Sequence, residues 1–357
     1  MKIAIVGPSP PPNGGMAMQT AQLCKLLTKQ GHEVGFIATN EPYQPQWVGK
    51  VVILRALFRL LRYSWSLKNQ LNNYQVIHLM ANSGWSFYLF SLPVIYVAAW
   101  LKIPVIVNYR GGGAKLFFAR AWPFIKGAFF RVDRVIVPSQ FLQQIFKTYD
   151  VDAKIIPNII DLSVFEFKEN DMSDHPIHVV VTRNLEPIYD NATAIKGFTL
   201  FAQKHPNCRL TVAGSGHEEA MLKQLVWQLK IADKVDFVGR ISRDEIAKLY
   251  QSADILINSS LVDNTPNSLI EALACGLVVI SSNVGGIPHL VKHYQHALLV
   301  EAKRADLIAQ QLSLVVADPN LAHKLAANGH QLVQQFCPLH VIPMLEQEYQ
   351  ELVNNYA

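Results

Sequence analysis

Two acidic residues frame a predicted helix start in the stretch DNTPNSLIEALACGLVVISSNVGG, residues 263–286. Asp263 precedes the helix, and Glu271 falls on its second turn. The first backbone N–H groups of a helix lack intrahelical partners, and together with the helix dipole they favour an anion such as phosphate. Carboxylates accept hydrogen bonds from hydroxyl groups, although an acid near a helix start is also common as simple stabilisation. The stretch therefore suits a ligand that carries phosphate and hydroxyl groups, and its N–H donors are expected at Asn267, Ser268 and Leu269.

The residues around this helix predict its boundaries. Asn264 and Thr265 are good N-caps, and Pro266 fits the first turn because a missing N–H costs nothing there. Gly276 is expected to end the helix in the left-handed conformation, which glycine adopts at little cost. The following residues 277–281, LVVIS, form a short apolar run that is typical of a buried strand. The stretch is therefore predicted to be a loop, a helix, a strand and a glycine turn.

Length and composition favour a large folded core. The chain has 357 residues, of which 50% are hydrophobic and 17% charged, so two domains are expected and disorder is not. Its 4 cysteines are scattered without a disulfide or metal-binding spacing, which fits a reducing, cytoplasmic compartment. No metal site and no cofactor are predicted.

The charge is distributed unevenly along the chain. Residues 1–160 hold 17 Lys and Arg against 5 Asp and Glu, a balance of +12, whereas the remainder holds 15 against 22, a balance of −7. This asymmetry predicts that the first part meets something anionic. Residues 50–70 have the pattern of an amphipathic helix, and residues 115–131 form a second apolar and basic run. Two interpretations stay open for these segments: helices packed on their own domain, or helices lying on an anionic membrane surface. The basic residues on one face of the first helix are Arg55, Arg59 and Arg62.

Glycine turns follow two of the predicted strands. Gly14 and Gly15 stand between the strand at residues 2–7 and the next helix, where glycine allows a backbone to approach a phosphate closely. Gly214 and Gly216 stand in the same position after a later strand. The first loop lacks the G-x-G-x-x-G fingerprint and no acid ends the second strand, so a dinucleotide site is not indicated.

Residues 263–286 resemble the donor-site signature of retaining, nucleotide-sugar-dependent family 4 glycosyltransferases. The family pattern is glutamate, seven residues and glutamate, followed by an Ala-x-Ala-x-Gly helix end and a Val-Gly-Gly turn. Here it stands as Asp263, seven residues and Glu271, and then as Ala272, Ala274, Gly276, Val284, Gly285 and Gly286. The departure is Asp263, which keeps the charge of the first glutamate on a side chain one methylene shorter.

The resemblance implies the GT-B fold, which consists of two facing Rossmann-like α/β domains, each doubly wound. Residues 1–160 are then the acceptor-side domain, and residues 161–337 are the nucleotide-sugar-binding domain. The segment from about residue 338 to 357 resembles the terminal helix of the family, which crosses back to the first domain. No internal repeat or low-complexity tract interrupts the match.

The resemblance also implies roles for single residues. In the family an arginine and a lysine about six residues later grip the donor diphosphate; Arg183 matches the arginine, but Tyr189 stands at the lysine position. Lys196 lies seven residues further along and is not assigned the missing role. Arg110 stands where the family usually has a histidine near the reacting centre, and it supplies a cation for a phosphate or an acidic acceptor. The remaining donor-binding residues are expected to be Gly14, Gly15, Gly214, Gly216 and Arg240.

The implied function is a hexosyltransferase reaction, in which a sugar passes from a nucleotide-sugar to an acceptor hydroxyl with retention. Arg110, Arg183, Asp263 and Glu271 are the predicted catalytic residues. Glu271 is expected to accept from the nucleotide ribose, and Asp263 from a hydroxyl of the donor sugar. The expected partners are a nucleotide-sugar, a glycan or lipid-linked glycan acceptor of surface polysaccharide synthesis, and an anionic membrane surface, but no nucleic acid.

Two other classes of protein remain compatible with the pattern. A GT-B-shaped nucleotide-sugar isomerase would need an acid and base set of His, Asp or Glu beside the donor, and none is evident. A catalytically degenerate nucleotide-sugar-binding protein would keep the fold but lose turnover, and the departures at Asp263, Arg110 and Tyr189 keep this alternative open. The expected location is the cytoplasm, either free or at the inner face of the plasma membrane.

Overall fold

The computed structural model describes residues 1–10, 15–39, 63–169, 172 and 175–356. Gly14 and residues 50–62 of the predicted basic helix therefore lie outside the described residues. The chain divides into two compact units. The first unit comprises Met1–Ile159 and Pro338–Ala357, and the second comprises Ile160–Cys337.

The first unit is built on a six-stranded parallel sheet with the order β2-β1-β3-β4-β5-β6. Its strands are apolar because both faces are covered, as parallel sheets require. In β1, Ala4 and Val6 join one hydrophobic cluster, whereas Ile3 and Ile5 join the cluster on the opposite face. The strands are β1 (Lys2–Gly7), β2 (Glu33–Ala38), β3 (Val76–Ala81), β4 (Val105–Tyr109), β5 (Arg134–Val137) and β6 (Ala153–Ile155).

Helices cover both faces of this sheet. The second to fifth helices contribute buried side chains to one cluster, and the first helix contributes to the other. A short π-helical turn, Phe87–Ser91, continues directly into the third helix. The helices are α1 (Gly15–Lys29), α2 (63–71), α3 (Leu92–Leu101), α4 (Ala114–Phe129) and α5 (Gln140–Lys147).

The described residues contain no helix that is long and apolar enough to cross a bilayer.

The second unit holds another six-stranded parallel sheet, with the order β12-β11-β10-β7-β8-β9. The chain moves outward from β7 to β9 on one side and from β10 to β12 on the other. The strand order therefore reverses between β7 and β10, and doubly wound sheets bind ligands outside the carboxyl ends of strands at such a switch point. The strands are β7 (Ile177–Val181), β8 (Cys208–Ala213), β9 (Val235–Gly239), β10 (Ile255–Asn258), β11 (Val278–Ser282) and β12 (Leu298–Val300).

The helices of the second unit follow the strands in alternation. The helix after β10 begins at Asn267 and has Pro266 as its N-cap, so the prediction that Pro266 lies in the first turn, with Asn264 or Thr265 as cap, is wrong. Gly276 has φ +84°, which confirms the left-handed helix end. The helices are α6 (Asn191–Ala202), α7 (Glu219–Gln228), α8 (Arg243–Gln251), α9 (Asn267–Ala274), α10 (Ile287–Leu290), α11 (Ala305–Ala317) and α12 (Pro319–Val333).

The last helix, α13 (Pro338–Tyr356), packs on the first unit. Its side chains Val341, Leu345 and Tyr349 are buried in the same hydrophobic cluster as Ile3 and Ile5 of β1. Glu348 is buried as well, and its carboxylate forms an ion pair with Arg134 at 2.8 Å and another with Lys154. The helix therefore completes the core on one face of the first sheet.

Candidate functional site

The reversal of strand order in the second sheet brings together two loops that are far apart in sequence. Arg183 lies two residues beyond the end of β7, and Asp263 lies five residues beyond the end of β10. Because β7 and β10 are hydrogen-bonded neighbours, these two loops leave the same edge of the sheet. This edge is where a doubly wound sheet forms its ligand site.

Arg183 contacts both the acidic loop and the start of α9. Its Nη2 donates to Asp263 Oδ2 at 2.6 Å, and its Nη1 donates to Ser268 Oγ at 3.3 Å. The side chains of Arg183 and Asp263 are only 15% and 12% exposed, so this ion pair is far better shielded than a surface pair. Among the described residues, the buried Nε of Arg183 has no hydrogen-bond partner. The predicted residues Arg183, Asp263 and Ser268 thus form one contact network.

Tyr189 occupies the place where the family pattern has a lysine. Its ring lies under the guanidinium of Arg183, with 4.2 Å between the ring centroid and Cζ. The backbone of Tyr189 is held in place because its carbonyl accepts from Ser259 Oγ at 3.0 Å. An aromatic ring attracts a cation but carries no charge for a phosphate, so Tyr189 orients Arg183 where a lysine would add a second positive charge.

Two glycines set the position of the acidic loop. A Cβ atom on Gly285 would stand 2.0 Å from the carbonyl oxygen of Asp263, and one on Gly286 would stand 2.0 Å from that of Asn264. The N–H of Gly286 also donates to the Asp263 carbonyl at 2.9 Å. The Val-Gly-Gly turn is therefore the surface on which the Asp263 loop is packed.

The start of α9 differs in one respect from its prediction as an anion site. The N–H of Leu269 donates to the carbonyl of Pro266 at 3.1 Å, so it is not one of the open donors. Asn267 and Ser268 form the first turn, where N–H groups lack intrahelical partners by construction. The side chain of Ser268 faces Arg183, which places this helix N-terminus beside the cation.

Glu271 lies in a protected environment near two arginines. Burial raises the pKa of Glu271 from 4.5 to about 7, while the positive charges of Arg243 and Arg183 oppose the shift. Burial also raises the pKa of the neighbouring Tyr250, and the charge of Glu271 adds to that shift. The Tyr250 hydroxyl forms a hydrogen bond with Thr182 Oγ1 at 2.7 Å.

Arg243, the first residue of α8, was not among the predicted site residues. The Ser242-x-x-Glu245 capping box marks the start of that helix, and the structure forms both of its hydrogen bonds. The sequence signal therefore locates Arg243 at a helix start, but only the fold reveals that it faces Glu271.

The titration of Glu271 predicts how stability depends on pH. Because its folded-state pKa exceeds 4.5, the folded protein holds this proton more tightly than the unfolded chain, and stability falls as pH rises from about 4.5 through about 7. Glu271→Gln removes this titration, so the variant should gain about 1–3 kcal/mol relative to wild type across that range. Thermal unfolding of both proteins between pH 4.5 and 8 measures the difference; parallel profiles would show that Glu271 titrates normally.

The other predicted donor-binding residues are more dispersed. A Cβ on Gly214 or Gly216 would stand 2.2 Å from the carbonyl oxygen of Arg183 or Leu185, so close backbone packing already requires both glycines. Arg240 is exposed and follows the edge strand β9, three places from β10 in the sheet. Gly15 is exposed at the start of α1, and no heavy atom of a described residue outside its own helix and chain neighbours lies within 4 Å of the position of a Cβ. Across the described ranges, no three His, Cys, Asp or Glu side chains cluster as metal ligands would.

In the first unit, Arg110 follows β4 and ends a chain of polar contacts. The buried His78 contacts the Tyr349 hydroxyl at 2.7 Å through Nδ1 and the side-chain amide of Asn108 at 3.1 Å through Nε2. Asn108 Oδ1 in turn accepts from Arg110 Nε at 3.2 Å. Burial, with a contribution from the charge of Arg110, lowers the pKa of His78 to about 3, so this histidine is neutral. His78 therefore has a structural role inside the unit.

These two doubly wound units are shared with known proteins of one class. Sucrose-phosphate synthase from Thermosynechococcus elongatus is 20% identical and superimposes with a TM-score of 0.76, with 99% of each chain covered. Anabaena HepE is 17% identical, with a TM-score of 0.75 that covers 98% of this chain and 100% of HepE. The fold is therefore that of GT-B glycosyltransferases, which confirms the predicted fold class.

The family models agree with this fold. Residues 165–332 match the model described as glycosyl transferases group 1, and residues 13–164 match glycosyltransferase family 4. An uncharacterised glycosyltransferase of Methanocaldococcus jannaschii is 34% identical over 124 residues, which cover 35% of this chain and 32% of that protein. The chain thus spans about a third of the length of this curated relative. The chain belongs to the group 1 glycosyltransferases, with a first unit of the family 4 type.

Proposed function

We propose that this chain is a retaining hexosyltransferase that moves a sugar from a nucleotide-sugar to an acceptor hydroxyl. The observation that carries the proposal is the contact of Arg183 with Asp263 and Ser268 at the switch point of the second sheet. A guanidinium beside a helix N-terminus suits a diphosphate, and an adjacent carboxylate suits a sugar hydroxyl. Retention is proposed because the stretch that contains Asp263 and Glu271 resembles the signature of retaining family 4 enzymes.

Each polar group has a proposed part in this reaction. Arg183 and the N–H groups of the first turn of α9 stabilise the negative charge that develops on the departing diphosphate. Asp263 accepts from a hydroxyl of the transferred sugar, and Glu271 accepts from the ribose. The reaction is proposed to need no divalent metal, since Arg183 and the helix N-terminus supply the positive charge, and no covalent nucleophile is assigned.

Uridine diphosphate is the nucleotide to test first. HepE, which shares the fold of this chain, has been crystallised in complex with UDP and with UDP-glucose. The purified full chain is heated with UDP, GDP, ADP or CMP, each with and without EDTA. We expect one nucleoside diphosphate to raise Tm equally in both conditions. No response to any nucleotide would overturn the proposal, and a response lost in EDTA would contradict metal independence.

An assay of sugar transfer distinguishes the proposed transferase from a catalytically degenerate binding protein and from an isomerase. A protein that binds the diphosphate tightly and transfers no sugar would be the catalytically degenerate binder, and one that rearranges the donor without an acceptor would be the isomerase. Transfer to an acceptor with an α-linked donor and an α-linked product supports the proposed reaction. The anomeric configuration of the product is read by NMR.

We also propose that the acceptor belongs to surface polysaccharide or lipid-linked glycan synthesis, and that the protein meets the inner face of the plasma membrane. The support is a surface of exposed apolar and basic side chains on α3 and α4, here called the aromatic-basic surface. On α4, Leu116, Arg120 and Phe124 follow one another at intervals of four residues, so they lie on one face of the helix. The members of this surface are Tyr96, Trp100, Lys115, Leu116, Arg120, Phe124, Lys126, Phe130 and Arg131.

Two cation–π contacts join basic side chains to aromatic rings of this surface. Arg131 lies over the ring of Tyr96, with 5.5 Å between Cζ and the ring centroid, and so joins the end of α4 to α3. Lys68 of α2 lies over the Trp100 ring at 4.5 Å. Exposed aromatic rings beside cations match the composition of a bilayer interface with anionic headgroups.

The membrane proposal predicts that apolar side chains of α4 insert into anionic vesicles. Leu116 and Phe124 are 71% and 77% exposed, so Leu116→Ser with Phe124→Ser should leave the fold intact. Losing two apolar insertions should weaken binding to phosphatidylglycerol vesicles by roughly tenfold or more. The control is Trp227→Ser in the second unit, which removes a side chain of 75% exposure. Co-sedimentation that is equal in all three proteins would contradict the proposal.

A further inference from the structure

We propose that Arg110 binds an anionic group, a carboxylate or phosphate, that belongs to the acceptor substrate. This inference rests on the proposed transferase function and narrows its acceptor to an anionic class. The observation behind it is a partly buried cation whose hydrogen-bond partners, among the residues that the structure describes, are all neutral.

Among the described residues, Arg110 has no counter-ion. Its guanidinium donates to three side-chain amide oxygens, Asn108 Oδ1 at 3.2 Å, Asn158 Oδ1 at 2.5 Å and Gln19 Oε1 at 3.5 Å. No carboxylate of the described residues forms an ion pair with Arg110. Burial lowers the pKa of Arg110 to about 10, and no nearby negative charge offsets that shift. A shielded cation without a counter-ion is costly, and an anionic ligand offsets that cost.

The amide partners orient Arg110 without neutralising it. The Asn108 amide nitrogen is committed to His78 Nε2, and the Gln19 amide nitrogen donates to the carbonyl of Ile159 at 2.8 Å. Their oxygens are therefore turned toward the guanidinium. The neutral His78 behind Asn108 adds no negative charge. Asn108 and Gln19 therefore fix the orientation of the Arg110 guanidinium and leave its positive charge uncompensated.

One end of the guanidinium remains available to a ligand. Nε and Nη1 make the hydrogen bonds to the amide oxygens, whereas Nη2 makes none to a described residue. The Arg110 side chain is only partly buried. An arginine with a pre-oriented fork is well suited to a carboxylate or phosphate.

The acceptor is favoured over the donor as the source of this anion. In the second unit, the proposed diphosphate site already has its own cation, Arg183, and its own helix N-terminus, α9. Arg110 belongs to the first unit, which carries the strong excess of positive charge. A donor role for Arg110 is therefore the competing outcome of the test.

The test titrates inorganic phosphate and succinate into the full chain, with and without saturating UDP, while Tm is recorded. The proteins are wild type, Arg110→Gln, Arg110→Lys and the control Lys147→Gln, which removes an exposed charge from the same unit, away from the aromatic-basic surface. Both anions raise Tm of most proteins without a specific site, so the difference between variants is the measured quantity. UDP affinity of each protein is measured in parallel by calorimetry.

We expect Arg110→Gln to weaken the saturable response to phosphate or succinate by about tenfold or more, since a charged hydrogen bond is lost. Arg110→Lys should retain part of the response, and Lys147→Gln should retain all of it. The UDP affinity of each variant should change less than about twofold. An equal response in wild type and Arg110→Gln, or no response in wild type, would overturn the inference. A large loss of UDP affinity in Arg110→Gln would assign the residue to the donor and overturn it also. If no protein binds UDP, the proposed function fails, whereas the nucleotide-free titration still decides the role of Arg110.

Discussion

Replacing Arg183 with methionine should lower kcat/KM for the nucleotide-sugar by roughly 10²- to 10³-fold, the usual loss when one donor to a developing anion is removed. The side chain contacts Asp263 and Ser268, so it joins the two elements proposed to hold the sugar and the diphosphate. Arg183→Lys keeps the charge but loses the two-pronged geometry and should fall between wild type and Arg183→Met. Steady-state kinetics with the donor that raises Tm measure the effect.

The matched control is Lys196→Gln, because Lys196 is an exposed cation on α6 of the same unit. Its kcat/KM should stay within about twofold of wild type, since a solvated charge contributes little. Thermal unfolding of Arg183→Met separates lost chemistry from lost structure. Activity of a folded Arg183→Met within a few-fold of wild type would remove Arg183 from the mechanism.

Asp263→Asn completes a double-mutant cycle with Arg183→Met. Because the two side chains meet at 2.6 Å, their effects on kcat/KM should be clearly non-additive. Asp263→Asn should reduce turnover more than it reduces stability, since asparagine fills the same space. Additive losses would mean that the two residues act separately.

Gly285→Ala should destabilise the protein by about 3 kcal/mol, which lowers Tm by roughly 6–12 °C for a unit of this size. The residue has φ +55°, where a side chain is strained, and its new Cβ would stand 2.0 Å from the carbonyl oxygen of Asp263. The acidic loop must move to relieve this overlap. Nucleotide-sugar turnover should therefore fall with stability, and circular dichroism melting with parallel kinetics records both.

Gly15→Ala is the matched control for this substitution. Within the described part of the chain, no heavy atom beyond its own helix and chain neighbours lies within 4 Å of the position of its Cβ, so Tm should not fall. The two variants differ in the room available for one methyl group and in backbone conformation, since Gly285 has a positive φ and Gly15 does not. A Gly285→Ala protein that melts with wild type would show that the acidic loop is not packed on the glycine turn.

The sequence was a good guide to the elements around the site because local rules determine them. The positive φ of Gly276 follows from the cost of that conformation for other residues. Serine is a favoured N-cap, and the Oγ of Ser139 accepts from the N–H of Leu142 at the start of α5. The doubly wound sheets follow from the alternation of apolar strands with helices. Each of these features depends on a few neighbouring residues, so it can be predicted from the sequence.

The side-chain contacts within the site could not be predicted from local sequence. Tyr189 and Arg183 are six residues apart, yet the stacking between them depends on how the turn after β7 lies against β10. Arg243 faces Glu271 only because α8 and α9 are packed together. The placement of Pro266 failed for a related reason, since two good caps precede it and packing selects the later start. Side-chain partners from distant segments are set by tertiary packing, which residue types alone do not specify.

The packing of α13 on the first unit affects how the protein is made. Tyr349 is the hydrogen-bonding partner of His78 in β3, and Glu348 is the counter-ion of Arg134 in β5. The ribosome adds these residues only after all of the second unit, so at about 5–20 residues per second the first unit waits roughly 9–36 s for its last helix. During that interval one face of the first sheet has the cover of α1 but lacks that of α13, while the second unit can already fold. Synthesis of the first unit therefore begins before that of the second unit but ends after it.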